Sequence, residues 1–272
     1  MEHRSVEPHV AGLRAAVDAF GADAAGAGLE AKVPTAPAWT VRKLLAHQGM
    51  VHRWARANLR GESSHPPTWN AEGQAVADPV GWLVEGAEAL VSTLEEVPDD
   101  VKAMVFLKDA PPPRLFWARR QCHETTIHAV DARAARLGRP PLPEDTQIAD
   151  AVALDGIDEV LTGFITRGSS RFSDVGPVRV RVRPTGHDQG WSVLVRDGAA
   201  VTTRVGTEAG ADDDGADRAL TATGGGDVEE VRLSGSPVGL YLALWNRTVA
   251  DAVEDPAGFL DTWRDRVRVR WS

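Results

Sequence analysis

The sequence predicts an α+β protein: a bundle of four helices over residues 1–145, followed by a smaller α+β domain with an antiparallel sheet over residues 146–272. Three observations carry that reading. Up to residue 137 the apolar residues recur at helical spacing, and beyond the proline-rich segment 138–145 several of them alternate with period two, as in half-buried strands. A chain of 272 residues is also long for one compact core and short for three.

The elements follow in order. Val10, Leu13, Val17 and Phe20 set an amphipathic helix over residues 6–31. Thr40 is an N-cap before a long apolar-periodic run that Gly61 closes. Residues 62–78 are polar and proline-bearing and read as a loop long enough to lie over a site. A third helix spans residues 79–97, with Trp82, Leu83, Gly86, Leu90 and Leu94 inward. A connector with three consecutive prolines then blocks helix until Arg114, where the fourth begins. In the second half a helix over residues 148–166 precedes two alternating strands, 177–184 and 191–197, joined by a hairpin loop that holds His187 at the surface. Residues 199–205 form a third strand, 208–219 an acidic loop, and 219–225 with 228–236 a further extended pair. The last apolar helix starts at Ser236 or Ser234 and turns Leu240, Leu244 and Trp245 inward.

Composition excludes several functions. A net charge of −9 argues against binding a phosphate backbone. One cysteine, Cys122, rules out an internal disulfide framework and a cysteine-rich zinc module, so metal ligands must come from His, Asp and Glu. Cys122 itself reads as a small core residue. There is no apolar run of bilayer length and no apolar signal core at the start, which gives the expectation of a cytoplasmic protein with no membrane or nucleic-acid partner. No heptads demand a dimer, so a monomer or weak dimer is expected, and the Arg- and Ala-rich usage suggests a GC-rich genome.

The stretch of residues 117–133, WARRQCHETTIHAVDAR, places Glu124 and His128 one turn apart on one helix face. A carboxylate and an imidazole so placed form a two-ligand clamp for a zinc-like cation, or else a surface ion pair or capped core histidine. A third ligand must come from another helix. His47 is the candidate, because it shares an apolar face with Leu44 and Val51, although a satisfied core histidine is the rival reading. His52 lies about 140° further round the axis, beside Arg53 and Arg56, in what reads as a more solvated setting. Asp131 could accept the second ring N–H of His128 or be a plain surface acid. Arg120 could pair with Glu124, the first choice, or bind an anion.

The pair of blocks WTVRKLLAHQGMVHRWA and RRQCHETTIHAVDA resembles the mycothiol-dependent maleylpyruvate isomerase family, within the DinB-like superfamily of metal-binding four-helix bundles. The resemblance implies a metal site made by His47, Glu124 and His128. It also implies a sterol-carrier-like C-terminal domain and a substrate- or cofactor-binding, catalytic arginine, Arg247, after the last apolar helix. The triplet His123-Glu124-Thr125 is closest to the broad actinobacterial branch of the family. The expected cofactors are Zn²⁺ or another divalent metal, and mycothiol. The expected activity is cis–trans isomerisation or S-transfer, with a small-molecule thiol and an electrophilic or acidic substrate as partners. Three protein ligands leave a fourth position open, as at catalytic sites, and a thiol bound there would be deprotonated. The competing class is a non-catalytic, regulatory bundle that binds metal or a small molecule.

Overall fold

The computed structural model describes residues 5–107, 110–167, 171–206 and 228–267. The chain divides into two compact units, Met1–Ile148 and Ala149–Ser272.

The first unit is built on four long helices and a short one: α1 (Glu7–Ala27), α2 (Val41–Arg60), α3 (Pro66–Ala75), α4 (Pro79–Glu96) and α5 (Pro113–Leu137). Thr40 caps α2 by accepting the Lys43 N–H, and Gly61 ends it in the left-handed conformation, at φ 65°. Asp78 caps α4 through the Gly81 N–H, and Gly138 stops α5 at φ 70°. Helix α1 packs on α5 and α4, while α2 packs on α4, α3 and α5. One core layer joins Leu13 and Val17 to Leu90, Leu94 and Trp117. A second joins Phe20, Leu44, Leu45, Leu83 and Ala132. Each such fully buried aliphatic side chain contributes about 1.5–3 kcal/mol of apolar transfer energy.

Residues 66–75, expected in a loop, form α3. Pro66 and Pro67 occupy its first turn, where a missing N–H removes no helical hydrogen bond. The helix buries little of itself apart from Gly73, so it carries no apolar stripe by which to be read. Its partner is the Trp82 ring. A Cβ on Gly73 would lie 2.6 Å from that ring, and one on Gly49 of α2 would lie 2.3 Å from it. The Arg53 guanidinium covers the same indole at 3.7 Å and donates to the carbonyls of Gly49 and Trp82. The connector before α5 is also packed: Phe106 meets Trp54, Phe116 and Trp117, and the Trp117 indole donates to the Met104 carbonyl.

The second unit holds a four-stranded sheet in the order β3-β2-β1-β4, with β1 Val178–Pro184, β2 Gln189–Arg196, β3 Ala199–Gly206 and β4 Glu229–Gly235. The first three strands form the expected antiparallel meander, with Val180 opposite Val193 and Val193 opposite Thr202. Strand β4 joins the other edge in parallel to β1, so the sheet is mixed; the expected partner segment 219–225 and the acidic loop lie outside the described residues. The first helix of this unit, α6 (Asp150–Asp158), runs on as a π-helical turn over Glu159–Phe164. Asp158 accepts from the Trp191 indole and from both ends of the Arg204 guanidinium, which ties α6 to β2 and β3. Ser236 caps α7 (Pro237–Leu244), all eight residues of which are buried, and α8 (Phe259–Arg266) follows. His187 is half-buried in its turn, with Asp150 at 3.4 Å. Among the described residues no helix is long and apolar enough to cross a membrane.

Candidate metal centre

Helices α2 and α5 bring His47, Glu124 and His128 together, with one potential ligand atom from each lying within 4.8 Å of the others. The i, i+4 spacing on α5 stacks Glu124 and His128 on one face, and the phase of α2 turns His47 toward them. His47 Nε2 is 3.8 Å from Glu124 Oε1, and the two imidazole rings meet edge-on at 5.3 Å. All three side chains are buried.

The polar atoms at the centre test whether a cation suits this place. His47 Nε2 and both carboxylate oxygens of Glu124 are buried and accept or donate no hydrogen bond. Leaving such atoms without a hydrogen bond costs about 1–3 kcal/mol each, which for Glu124 an ion pair with Arg120 offsets in part. A tetrahedral zinc site with bonds of about 2.1 Å has its donors about 3.4 Å apart, so the 3.8 Å gap closes with a small side-chain adjustment. Two imidazoles and one carboxylate are a donor set that zinc-like divalent ions accept. The residues fit the group.

The surroundings fix each donor. His128 Nδ1 lies 3.0 Å from Asp131 Oδ2, which leaves Nε2 as the outward lone pair. Burial lowers the His128 pKa below the ordinary imidazole value, with the Asp131 hydrogen bond opposing it, so the ring is neutral at pH 7. For Glu124 burial works toward a higher pKa, but His47, Arg120 and His128 together outweigh it and hold the carboxyl below its usual range. Arg120 is itself buried, its Nε 3.5 Å from Glu124 Oε2, in the i, i+4 ion pair that the spacing suggests. Trp39 stands against both ligand rings, edge-on to His47 at 4.9 Å and nearly parallel to His128 at 6.2 Å.

Other histidines lie elsewhere. His52 is not solvated, as its arginine neighbours suggest, but fully buried. Its Nε2 is 2.9 Å from Gln48 Nε2 and 2.9 Å from Thr125 Oγ1, and Gln48 also donates to Thr125 at 2.9 Å. Arg53 and Arg56 extend away from it, Arg53 onto Trp82 and Arg56 to Glu62, which is why chain neighbours misstate its setting. Complete burial pushes the His52 pKa down to about 3. Cys122 is buried. Arg247 belongs to the second unit, where it follows α7, closes the helix end with its N–H on the Leu242 carbonyl, and donates from Nη1 to the Trp245 carbonyl.

Two residues near the ligands escape a reading by spacing. Thr35 donates to Asp131 Oδ1 at 2.5 Å, and Trp39 lines the rings; both stand on the segment before α2, which has no periodicity. The one sequence signal is the placement of Thr35 between Pro34 and Pro37, in a segment stiff enough to hold a hydroxyl in place.

Comparison with known proteins agrees with this architecture. Residues 10–133 match the model of the mycothiol maleylpyruvate isomerase N-terminal domain. The crystal structure of the mycothiol-dependent maleylpyruvate isomerase is similar, with a TM-score of 0.55 at 15% identity over 93% of this chain and 94% of that chain. The crystal structure of a histidine-to-alanine mutant of such an enzyme gives a TM-score of 0.56 at the same identity and coverage. At that identity the likeness is one of fold. No curated protein matches the sequence. Over residues 10–133 the chain is thus similar to the mycothiol maleylpyruvate isomerase N-terminal domain, and the solved structures extend that likeness of fold across 93% of the chain.

Proposed function

We propose that this protein is an enzyme dependent on a divalent metal and on a thiol, mycothiol, and that it acts as a cis–trans isomerase or a thiol S-transferase. The observation that carries the reading is the mutually facing donor set of His47, Glu124 and His128, in which buried His47 Nε2 and both Glu124 oxygens make no hydrogen bond, in a unit similar to this family's N-terminal domain. A zinc-like ion held there supplies the Lewis acidity that makes a thiol a nucleophile at neutral pH.

The chain's own residues supply the rest. Glu124, ionised, gives the centre one negative charge, and its pairing with Arg120 restrains its orientation. Asp131 holds the His128 tautomer that presents Nε2. Trp39 forms an apolar wall beside both ligand rings. The role assigned to Arg247 is to grip the carboxylate of an acidic substrate with two parallel hydrogen bonds, a geometry that lysine lacks. In either reaction the substrate carries an electrophilic carbon that the thiol attacks. The isomerase returns the thiol by elimination, and the transferase leaves it attached.

Metal content of untagged protein and turnover with a thiol and a panel of electrophiles test this reading. About one equivalent of zinc or another divalent ion and thiol-dependent turnover are expected; less than about a third of an equivalent removes the catalytic reading. Full metal with no turnover favours the regulatory bundle instead. In the active protein Arg247→Lys should keep fold and metal while kcat/KM falls at least tenfold, about 1.4 kcal/mol of transition-state stabilisation. An unchanged kcat/KM confines Arg247 to closing the end of α7.

A further inference from the structure

We infer that Thr35 is a positioning residue for the metal centre: through Asp131 it holds the His128 imidazole in the orientation and tautomer that present Nε2 to a divalent cation. This rests on the metal-binding reading above. Asp131 is fully buried and each of its oxygens has a separate partner, His128 Nδ1 at 3.0 Å on Oδ2 and Thr35 Oγ1 at 2.5 Å on Oδ1. A carboxylate bonded through one oxygen alone can rotate about its Cβ–Cγ bond. Bonded through both, it has one plane, and that plane fixes where the His128 ring points. The two donors reach it from different parts of the chain, His128 from one turn earlier on α5 and Thr35 from 96 residues away.

Thr35 is in turn fixed by its own segment. Residues 28–41 fold back on themselves: Lys32 and Thr40 form a β-bridge, Val33 N–H bonds the Trp39 carbonyl, and Ala36 N–H bonds the Val33 carbonyl. Trp39 N–H closes on Ala36, and Val41 N–H reaches back to Ala31. Val33 is fully buried and anchors the segment in the core around Leu44 and Leu45. The hydroxyl therefore arrives on a stiff support, and Thr35 through Asp131 to His128 forms a continuous chain of hydrogen bonds that ends on the ligand ring. Residues that orient a metal-bound histidine in this way typically change metal affinity about 10–100-fold when altered.

Zinc affinity of the full chain, measured by competition with a chromophoric chelator, tests the inference. Thr35→Val, with nearly the same shape and no hydroxyl, should weaken zinc binding about tenfold or more, and Thr35→Ser should restore it to within about twofold of the parent. Thr35→Ala carries the same test if the valine variant does not fold. Because Thr35 acts through Asp131, Thr35→Val should cause no further loss in an Asp131→Asn background. Parent-like affinity in Thr35→Val, no rescue by serine, or losses that multiply in the double variant would each overturn the inference while leaving the metal reading intact. A parent chain that binds no zinc overturns both.

Discussion

His47, Glu124 and His128 sit beside Gln48, His52 and Thr125 on the same two helices, adjacent in sequence at both ends. Both sets keep buried atoms without a hydrogen bond, Gln48 Oε1 and His52 Nδ1 in the second, yet the atoms that face one another within each set are spaced differently. In the second set the facing atoms close on one another in a triangle of 2.9 Å contacts. In the first, His47 Nε2 faces Glu124 Oε1 at 3.8 Å and neither makes a hydrogen bond. A buried histidine by itself therefore says little about metal. What separates a candidate ligand from a core histidine is whether its neighbours already satisfy the lone pair that faces them.

The contrast predicts opposite phenotypes from neighbouring residues. The largest effect is expected at the first set: His47→Ala, Glu124→Ala and His128→Ala should each weaken zinc binding by two orders of magnitude or more, roughly 2.7 kcal/mol. His52→Ala and His123→Ala should keep the metal. Loss of zinc in His52→Ala with retention in His47→Ala would reverse the assignment of the two sets.

Thr125→Val is the converse experiment, one residue from Glu124. It leaves the Gln48 amide and the His52 ring without their shared acceptor and donor, so urea unfolding of the zinc-free protein should show a loss of about 1–3 kcal/mol. Zinc stoichiometry should stay at the parent value. A variant as stable as the parent would mean that the triangle is not what satisfies those atoms.

A smaller effect sharpens the comparison through pH. The folded-state pKa of His52, about 3, lies below its ordinary value of 6.5, so between those values the unfolded chain binds a proton that the native protein does not. Stability consequently falls as pH falls through that window, with this residue contributing up to about 1.4 kcal/mol per pH unit, and nothing above it. Unfolding of zinc-free protein at pH 7 and pH 5 should show a shallower pH dependence in His52→Gln than in the parent. Equal slopes would assign the acid sensitivity to other groups.

The parts of this protein that can be read in its sequence are those set by local spacing. The phases of α2 and α5, the Thr40 cap, the Gly61 stop and the period-two strands all depend on residues within a turn or two of one another. So does the placing of Glu124 and His128 on one face; a rotation of about 140° separates His47 from His52 on α2, while the preference for His47 rests on its apolar neighbours Leu44 and Val51. What spacing hides is supplied by distant chain. Helix α3 packs chiefly on α2, with Gly73 against the Trp82 ring, and has no stripe of its own. His52 is buried by α5, although its own neighbours are arginines. Strand β4 pairs in parallel with β1, a choice that no alternation records. Thr35 meets Asp131 across 96 residues.

The seat of Trp82 bears on how a protein of this kind can be altered. Its indole lies against Gly49 and Gly73, and Arg53, which covers it, fills the space beside Gly86. Alanine at any of the three would force a ring or a guanidinium aside. Gly49 is two residues from His47, so a displaced α2 would carry the ligand with it. Positions 49, 73 and 86 therefore belong outside any randomised library. The segment before α2 combines partly exposed side chains, Ala36 through Trp39, with a place beside the ligand rings. Diversification there can reshape what approaches the centre while the spacing of the helices stays constant.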